Sequence, residues 1–193
     1  SRDEVPDACQ RDPNWHGHIP VELENSQDVN RFIEEANQLL GDDPLHALVN
    51  NAAVSPKTEF KERLGCLNGD LNTWRRVFEL NFFTPLAMSR GFATALGKGA
   101  KDRGAAVVNI TSIAGHSIHP FAGSAYATSK AALSALTREL AVEFASLGIR
   151  VNAIAPGEIE TDMIGAEYEP LINRIPMHRM GKAEEVAACV YHM

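Results

Sequence analysis

The sequence predicts an α/β fold built on a parallel sheet. Short apolar runs at 45–49, 105–112 and 149–155 have the composition of strands buried on both faces. Longer segments of helical periodicity alternate with them, the order expected of strand–helix–strand units. Each run ends in polar or turn residues: Asn50-Asn51-Ala52-Ala53 after the first, Thr111-Ser112 closing the second, Pro156-Gly157 after the third. Ligands bind outside the carboxyl ends of the strands in an open parallel sheet, so three such ends imply one crevice.

The elements follow in chain order. The first twenty residues are polar and Pro-rich, a loop leading into a strand near 18–23. Residues 27–40 form an amphipathic helix, with Val29, Phe32, Ile33, Ala36 and Leu39/Leu40 near i, i+3, i+4, i+7 spacing and Gly41 as its stop. The strand at 45–49 runs into a loop over 55–69. A helix over 73–96 has Asn72 as its N-cap and contains Asn81; Pro85 kinks or splits it, because proline removes one helical hydrogen bond and clashes with the preceding turn. The second strand, a loop over 113–123, a helix over 126–147, the third strand and a last helix from about Ala183 complete the chain. No repeat, low-complexity tract or long linker divides it, so residues 1–193 form a single domain.

Tyr126 and Lys130 stand one helical turn apart, which puts a phenol and an ammonium on one face. A cation beside a phenol favours the phenolate, so the tyrosine is expected to become more acidic and to exchange protons near neutral pH. The pair alone is a weak signal; the hydroxyl of Ser112 at a strand end and the two other polar strand ends strengthen it. His116 and His119 lie in the loop over this site and shape the substrate pocket. Zinc needs three or four ligands, and no carboxylate or cysteine nearby completes a metal set.

Taken together these motifs are identified with the classical branch of the short-chain dehydrogenase/reductase family, and the match runs from about Val21 to Met193. Asn50-Asn51-Ala52-Ala53 resembles the family's Asn-Asn-Ala-Gly stretch, with Ala53 in place of the glycine. Asn81, Ser112, Tyr126 and Lys130 resemble its Asn-Ser-Tyr-Lys tetrad, and Pro156-Gly157 followed by Ile159 and Thr161 its Pro-Gly turn. The resemblance implies a Rossmann-type doubly wound sheet and an NAD(P)-dependent oxidoreductase acting on a small carbonyl or alcohol. In that scheme Tyr126 is the general acid/base and Ser112 hydrogen-bonds the substrate oxygen. Lys130 lowers the tyrosine's pKa and holds the nicotinamide ribose, while Asn81 fixes a proton-carrying water. Glu22 and Leu23 would border adenine, Asn50 and Ala52 the cofactor beyond the first strand end, and Pro156, Gly157, Ile159 and Thr161 the nicotinamide. The choice between NAD and NADP stays open, with Arg2 giving a slight lean to NADP. The loop over 113–123 and the segment 163–175 would set the substrate. A homodimer or homotetramer, formed through the helices bearing Asn81 and Tyr126, is implied as well. Extended-branch epimerases and enoyl reductases are disfavoured, the latter because they space the tyrosine and lysine more widely.

The family's Gly-x-x-x-Gly-x-Gly turn, which brings phosphate to backbone N–H groups at a helix N-terminus, does not occur in these residues. Strands 1 and 2 and the last strand are lacking too. In the strand order 3-2-1-4-5-6 the first two would lie between the strand at 18–23 and that at 45–49. Unpaired buried backbone groups cost about 1 to 3 kcal/mol each, so such a gap would exceed the roughly 5 to 15 kcal/mol that stabilises a domain. A functional molecule with more chain is therefore expected. The alternative is a catalytically inactive relative or fragment serving as a scaffold or subunit partner.

A net charge of −7 without a basic run argues against nucleic acid, and no apolar stretch is long enough to span a membrane. Cys9, Cys66 and Cys189 are odd in number and far apart, which fits reduced thiols in a cytoplasmic protein.

Overall fold

The computed structural model describes residues 17–60, 62–161 and 169–193; Arg2, Cys9 and the 163–168 part of the expected pocket segment lie outside them. Three parallel strands, β1 (Ala47–Asn50), β2 (Ala105–Ile110) and β3 (Ile149–Ile154), lie side by side in the order β1-β2-β3. The register pairs Val49 with Val108 and Asn50 with Asn109, then Val108 with Asn152. β2, the most apolar run, takes the middle and is buried over its first five residues. β1 lies at the edge, where Val49 is 43% exposed.

Residues 18–23 form no strand, which corrects that expectation. A strand needs a ladder partner, and here the backbone bonds within a turn instead: Asn25 N–H donates to the Glu22 carbonyl at 3.0 Å. The Leu23 carbonyl accepts from Thr84 Oγ1 at 2.7 Å, and its side chain packs on the core.

Helix α1 (Ser26–Leu40) starts where Asn25 Oδ1 accepts from the N–H groups of Gln27 and Asp28. It stops at Gly41, whose φ of 54° suits a residue without a side chain. Val29, Phe32, Ile33, Ala36 and Leu40 face Met88, Phe92 and Leu96 in the core, while Leu39 points outward.

The helix expected over 73–96, kinked or split at Pro85, is split beside that residue and broken again at Phe92. Helix α2 (Leu71–Phe78) is capped by Asp70, not Asn72, because Asp70 Oδ1 reaches the N–H groups of Asn72 and Thr73 at 2.8 and 3.0 Å. A π-helical turn, Glu79–Phe83, follows, then α3 (Thr84–Gly91) and, after a break at Phe92, α4 (Ala93–Asp102). Pro85 has no N–H to offer the carbonyl four residues back, that of Asn81, and the wider turn lies just there. Helix α5 (Ser124–Ala145) crosses from β2 to β3 and buries Leu133, Leu140 and Phe144. A short α6 (Glu169–Ile172) and α7 (Ala183–Tyr191) end the chain. No helix among the described residues is long and apolar enough to cross a membrane.

Candidate active site

The carboxyl ends of β1, β2 and β3 surround a cavity of about 540 Å³. β2 is prolonged by Thr111, whose N–H and Oγ1 both donate to the Ile154 carbonyl, at 2.8 and 2.9 Å. Ser112 then turns the chain: its Oγ accepts from Ala114 N–H at 3.1 Å and caps the one-turn helix Ile113–Gly115. That turn lies directly on α5. A Cβ on Gly115 would stand 2.8 Å from the Ala131 nitrogen and 2.9 Å from the Lys130 carbonyl carbon, so only glycine allows the approach. The start of α5 is held from the other side, where Leu64 O accepts from Ser124 N–H at 2.8 Å and Arg63 Nε donates to Ala122 O at 2.7 Å.

This framework sets Ser112 and Tyr126, the latter in the first turn of α5, on the wall of one cavity. Lys130, one turn on, is 2% exposed; its Nζ donates to the Ile110 carbonyl at 2.7 Å and stands 5.8 Å from the centre of the Tyr126 ring. Burial lowers its pKa to about 8. The expectation of an acidified tyrosine is corrected. Burial raises the Tyr126 pKa, the Ser112 hydroxyl opposes that, and the charge of Glu158 adds to it. Lys130 does not reverse the shift; its ammonium is held by the Ile110 carbonyl and lies over the ring face.

Ser112, Tyr126, Lys130, Pro156, Gly157, Ile159 and Thr161 all line the cavity. Asn81, Asn50, Ala52, Glu22 and Leu23 do not. Asn81 is wholly buried behind it: Oδ1 accepts from Val54 N–H at 2.9 Å, and Nδ2 donates to Val54 O at 3.1 Å and Ser129 Oγ at 3.0 Å. Both amide N–H groups are thereby committed, and what the side chain holds is the chain after β1 against α5. Strand alternation turns Asn50 away from the cavity and onto Asn109 Oδ1 at 2.8 Å; the adjacent Val49 and Asn51 face the space instead. Ala52 is exposed and Ala53 lines the cavity in its place. Glu22 and Leu23 belong to the turn before α1. His119 lines the cavity, whereas His116 is exposed, 3.4 Å from Ser134 Oγ on α5.

Sequence reasoning missed Glu158, which lines the cavity and bonds to His119, Nε2 to Oε1 at 2.5 Å. The available signal was an acid directly after Pro156-Gly157, at the end of the third strand.

The residues present fit the nicotinamide-ribose half of a dinucleotide. The Lys130 ammonium has three N–H donors and one protein acceptor, which leaves donors for a ribose diol at the cavity wall. Fold and site together define a Rossmann-type α/β protein with a Ser/Tyr/Lys cluster at the carboxyl end of its sheet.

A family model described as enoyl-(acyl carrier protein) reductase matches residues 3–193. The protein FixR of Bradyrhizobium diazoefficiens is 46% identical over 188 residues, covering 97% of this chain and 66% of that one. A 3-oxoacyl-(acyl-carrier-protein) reductase of Synechocystis is 30% identical, covering 89% and 65%. Among solved structures, a Brucella ovis oxidoreductase of the short-chain dehydrogenase/reductase family, in complex with a partially ordered NAD, is 48% identical with a TM-score of 0.71, covering 79% of this chain and 69% of that one. The chain belongs to the short-chain dehydrogenase/reductase family. It spans about two thirds of the length of the curated relatives it matches.

Proposed function

We propose that the protein is an NAD(P)-dependent oxidoreductase that interconverts a small alcohol and its carbonyl compound, with Tyr126 as general acid/base. The observation that carries this reading is the convergence of the Ser112 hydroxyl, the Tyr126 phenol and the buried Lys130 ammonium on one cavity at the strand ends. Relatives named 3-oxoacyl-(acyl-carrier-protein) reductase and galactitol 2-dehydrogenase support carbonyl/alcohol chemistry over the enoyl chemistry in the family model's description, as does the four-residue spacing of Tyr126 and Lys130.

The nicotinamide, when bound, supplies hydride to the carbonyl carbon or takes it from the alcohol. In reduction Tyr126 starts as the neutral phenol, the form its burial favours, and gives that proton to the oxygen on which negative charge develops. Ser112 Oγ hydrogen-bonds the same oxygen and stabilises the charge. The Lys130 ammonium holds the ribose and offsets the phenolate that remains, and Asn81 supports the site from behind by tying the chain after β1 to α5. Pro156, Gly157, Ile159 and Thr161 wall the nicotinamide side. Both NAD and NADP suit this arrangement, and the slight lean to NADP rests on Arg2. A homodimer or homotetramer through α2, α3 and α5 is part of the reading, supported by the exposed Leu71, Phe83 and Val142 on those helices and the turn joining them.

The test is Tyr126→Phe in the full-length protein. Turnover on a panel of ketones and alcohols should fall by roughly a thousandfold, the scale of a lost general acid. Fluorescence titration with NADH and NADPH should still show binding. Near-normal turnover in the variant would remove Tyr126 from its role. Binding of neither nucleotide by the unaltered protein would favour a scaffold.

A further inference from the structure

We infer that Glu158 and His119 are the specificity-determining pair of this site, selecting a neutral substrate with a second hydroxyl beside the reacting carbon: a vicinal diol, or the hydroxyketone it forms. The inference rests on the oxidoreductase reading above and extends it to the substrate. Both side chains are 11% exposed, and both line the cavity that holds Ser112 and Tyr126. His119 Nδ1 accepts from the backbone N–H groups of Phe121 and Ala122, at 3.2 and 3.1 Å. The ring proton therefore sits on Nε2 and is given to Glu158 Oε1. With one carboxylate oxygen clamped, Oε2 takes no hydrogen bond from a described residue and is left as an acceptor at the cavity.

Apart from the bond to His119, no described residue uses this carboxylate. Glu158 follows Pro156-Gly157 where Ile154 and Ile159 flank the turn, and a pair of apolar side chains at 119 and 158 would fill the same wall without desolvating a carboxylate. It shares the cavity wall with Tyr126, Ser112 and Lys130, and its charge opposes ionisation of the phenol. The surrounding charges then filter the substrate by sign. Glu158 repels an anion, whereas Lys130, which lines the same cavity, repels a cation. A wholly apolar alcohol displaces water from Oε2 and offers no donor in return. A hydroxyl next to the reacting carbon supplies that donor without charge.

The experiment compares butane-2,3-diol with butan-2-ol, which differ by one hydroxyl, in the full-length protein. Saturation-transfer NMR reports binding, and nucleotide reduction reports turnover. The diol should be preferred about tenfold or more in kcat/KM, since a site built to bond a hydroxyl discriminates against the analogue that lacks it. Glu158→Leu should bring that preference to near unity and remove the diol's saturation-transfer advantage; Glu158→Gln should restore part of both. Equal losses on the two alcohols, or an unchanged preference, would overturn the assignment. If neither alcohol turns over but the diol signal still depends on Glu158, the oxidoreductase reading fails and the recognition pair stands.

Discussion

Two sets of polar side chains lie within a few residues of each other at the strand ends, and they differ in how much hydrogen-bonding capacity remains. In the set behind the cavity, Asn50 donates to Asn109, Asn109 to Thr137 and Thr137 to the Leu133 carbonyl, while Asn81 ties both backbone groups of Val54 to Ser129. In the set facing the cavity, Lys130 has one acceptor for three donors and Glu158 one donor for two oxygens. The first set behaves as core, since buried polar groups persist there only when paired. Capacity left over in the second is what a ligand can use.

The sharpest way to break this contrast is Asn81→Ala. The variant loses three hydrogen bonds, leaves the Val54 backbone groups unpaired and opens a small void, so unfolding stability should fall by about 2 to 4 kcal/mol. Urea denaturation checks it. A variant as stable as the parent but slow in turnover would move Asn81 from the structural set to the functional one, where the family resemblance puts it.

Lys130→Met tests the opposite sign. Its pKa of about 8 in the folded chain stands below the 10.5 of an unperturbed lysine. Between those values the unfolded chain holds a proton that the folded chain has released, so stability should rise as pH climbs from about 8 toward 10.5. Below pH 8 the buried charge is a constant penalty, on the order of 3 kcal/mol. Methionine removes that penalty and forfeits one hydrogen bond, so the variant should gain roughly 1 to 2 kcal/mol at pH 7 and lose turnover. Thermal melts from pH 7 to 10 should show the rise in the parent and not in the variant. An equal rise in both would assign it to another group.

Legibility in the sequence followed the same division. Strands and helices set by apolar periodicity were readable: residues 27–40 were expected where Ser26–Leu40 is helical, and Ala183 opens the last helix. The strand ends led to the Ser112, Tyr126 and Lys130 cluster, because strand ends and helical turns fix where those residues emerge. What failed depended on distant partners. A strand at 18–23 needs a neighbour to pair with. Asn50 and Asn51 are equivalent on paper until the pairing with β2 decides which turns to the cavity. The tyrosine's acidity could not be inferred from a four-residue spacing, because burial and Glu158, more than thirty positions away, govern it.

Asn50→Ala makes the smallest expected change and addresses the finest distinction. If Asn50 borders the cofactor, as its place in the motif implies, nucleotide affinity should drop with little effect on folding. The structure instead gives it one bond, to Asn109. Stability should then fall by about 1 kcal/mol while nucleotide affinity, read by fluorescence titration, holds. The same titration on Asn51→Ala should show the larger loss, because that side chain faces the cavity. The reverse outcome would mean that the register of β1 against β2 changes when the nucleotide binds.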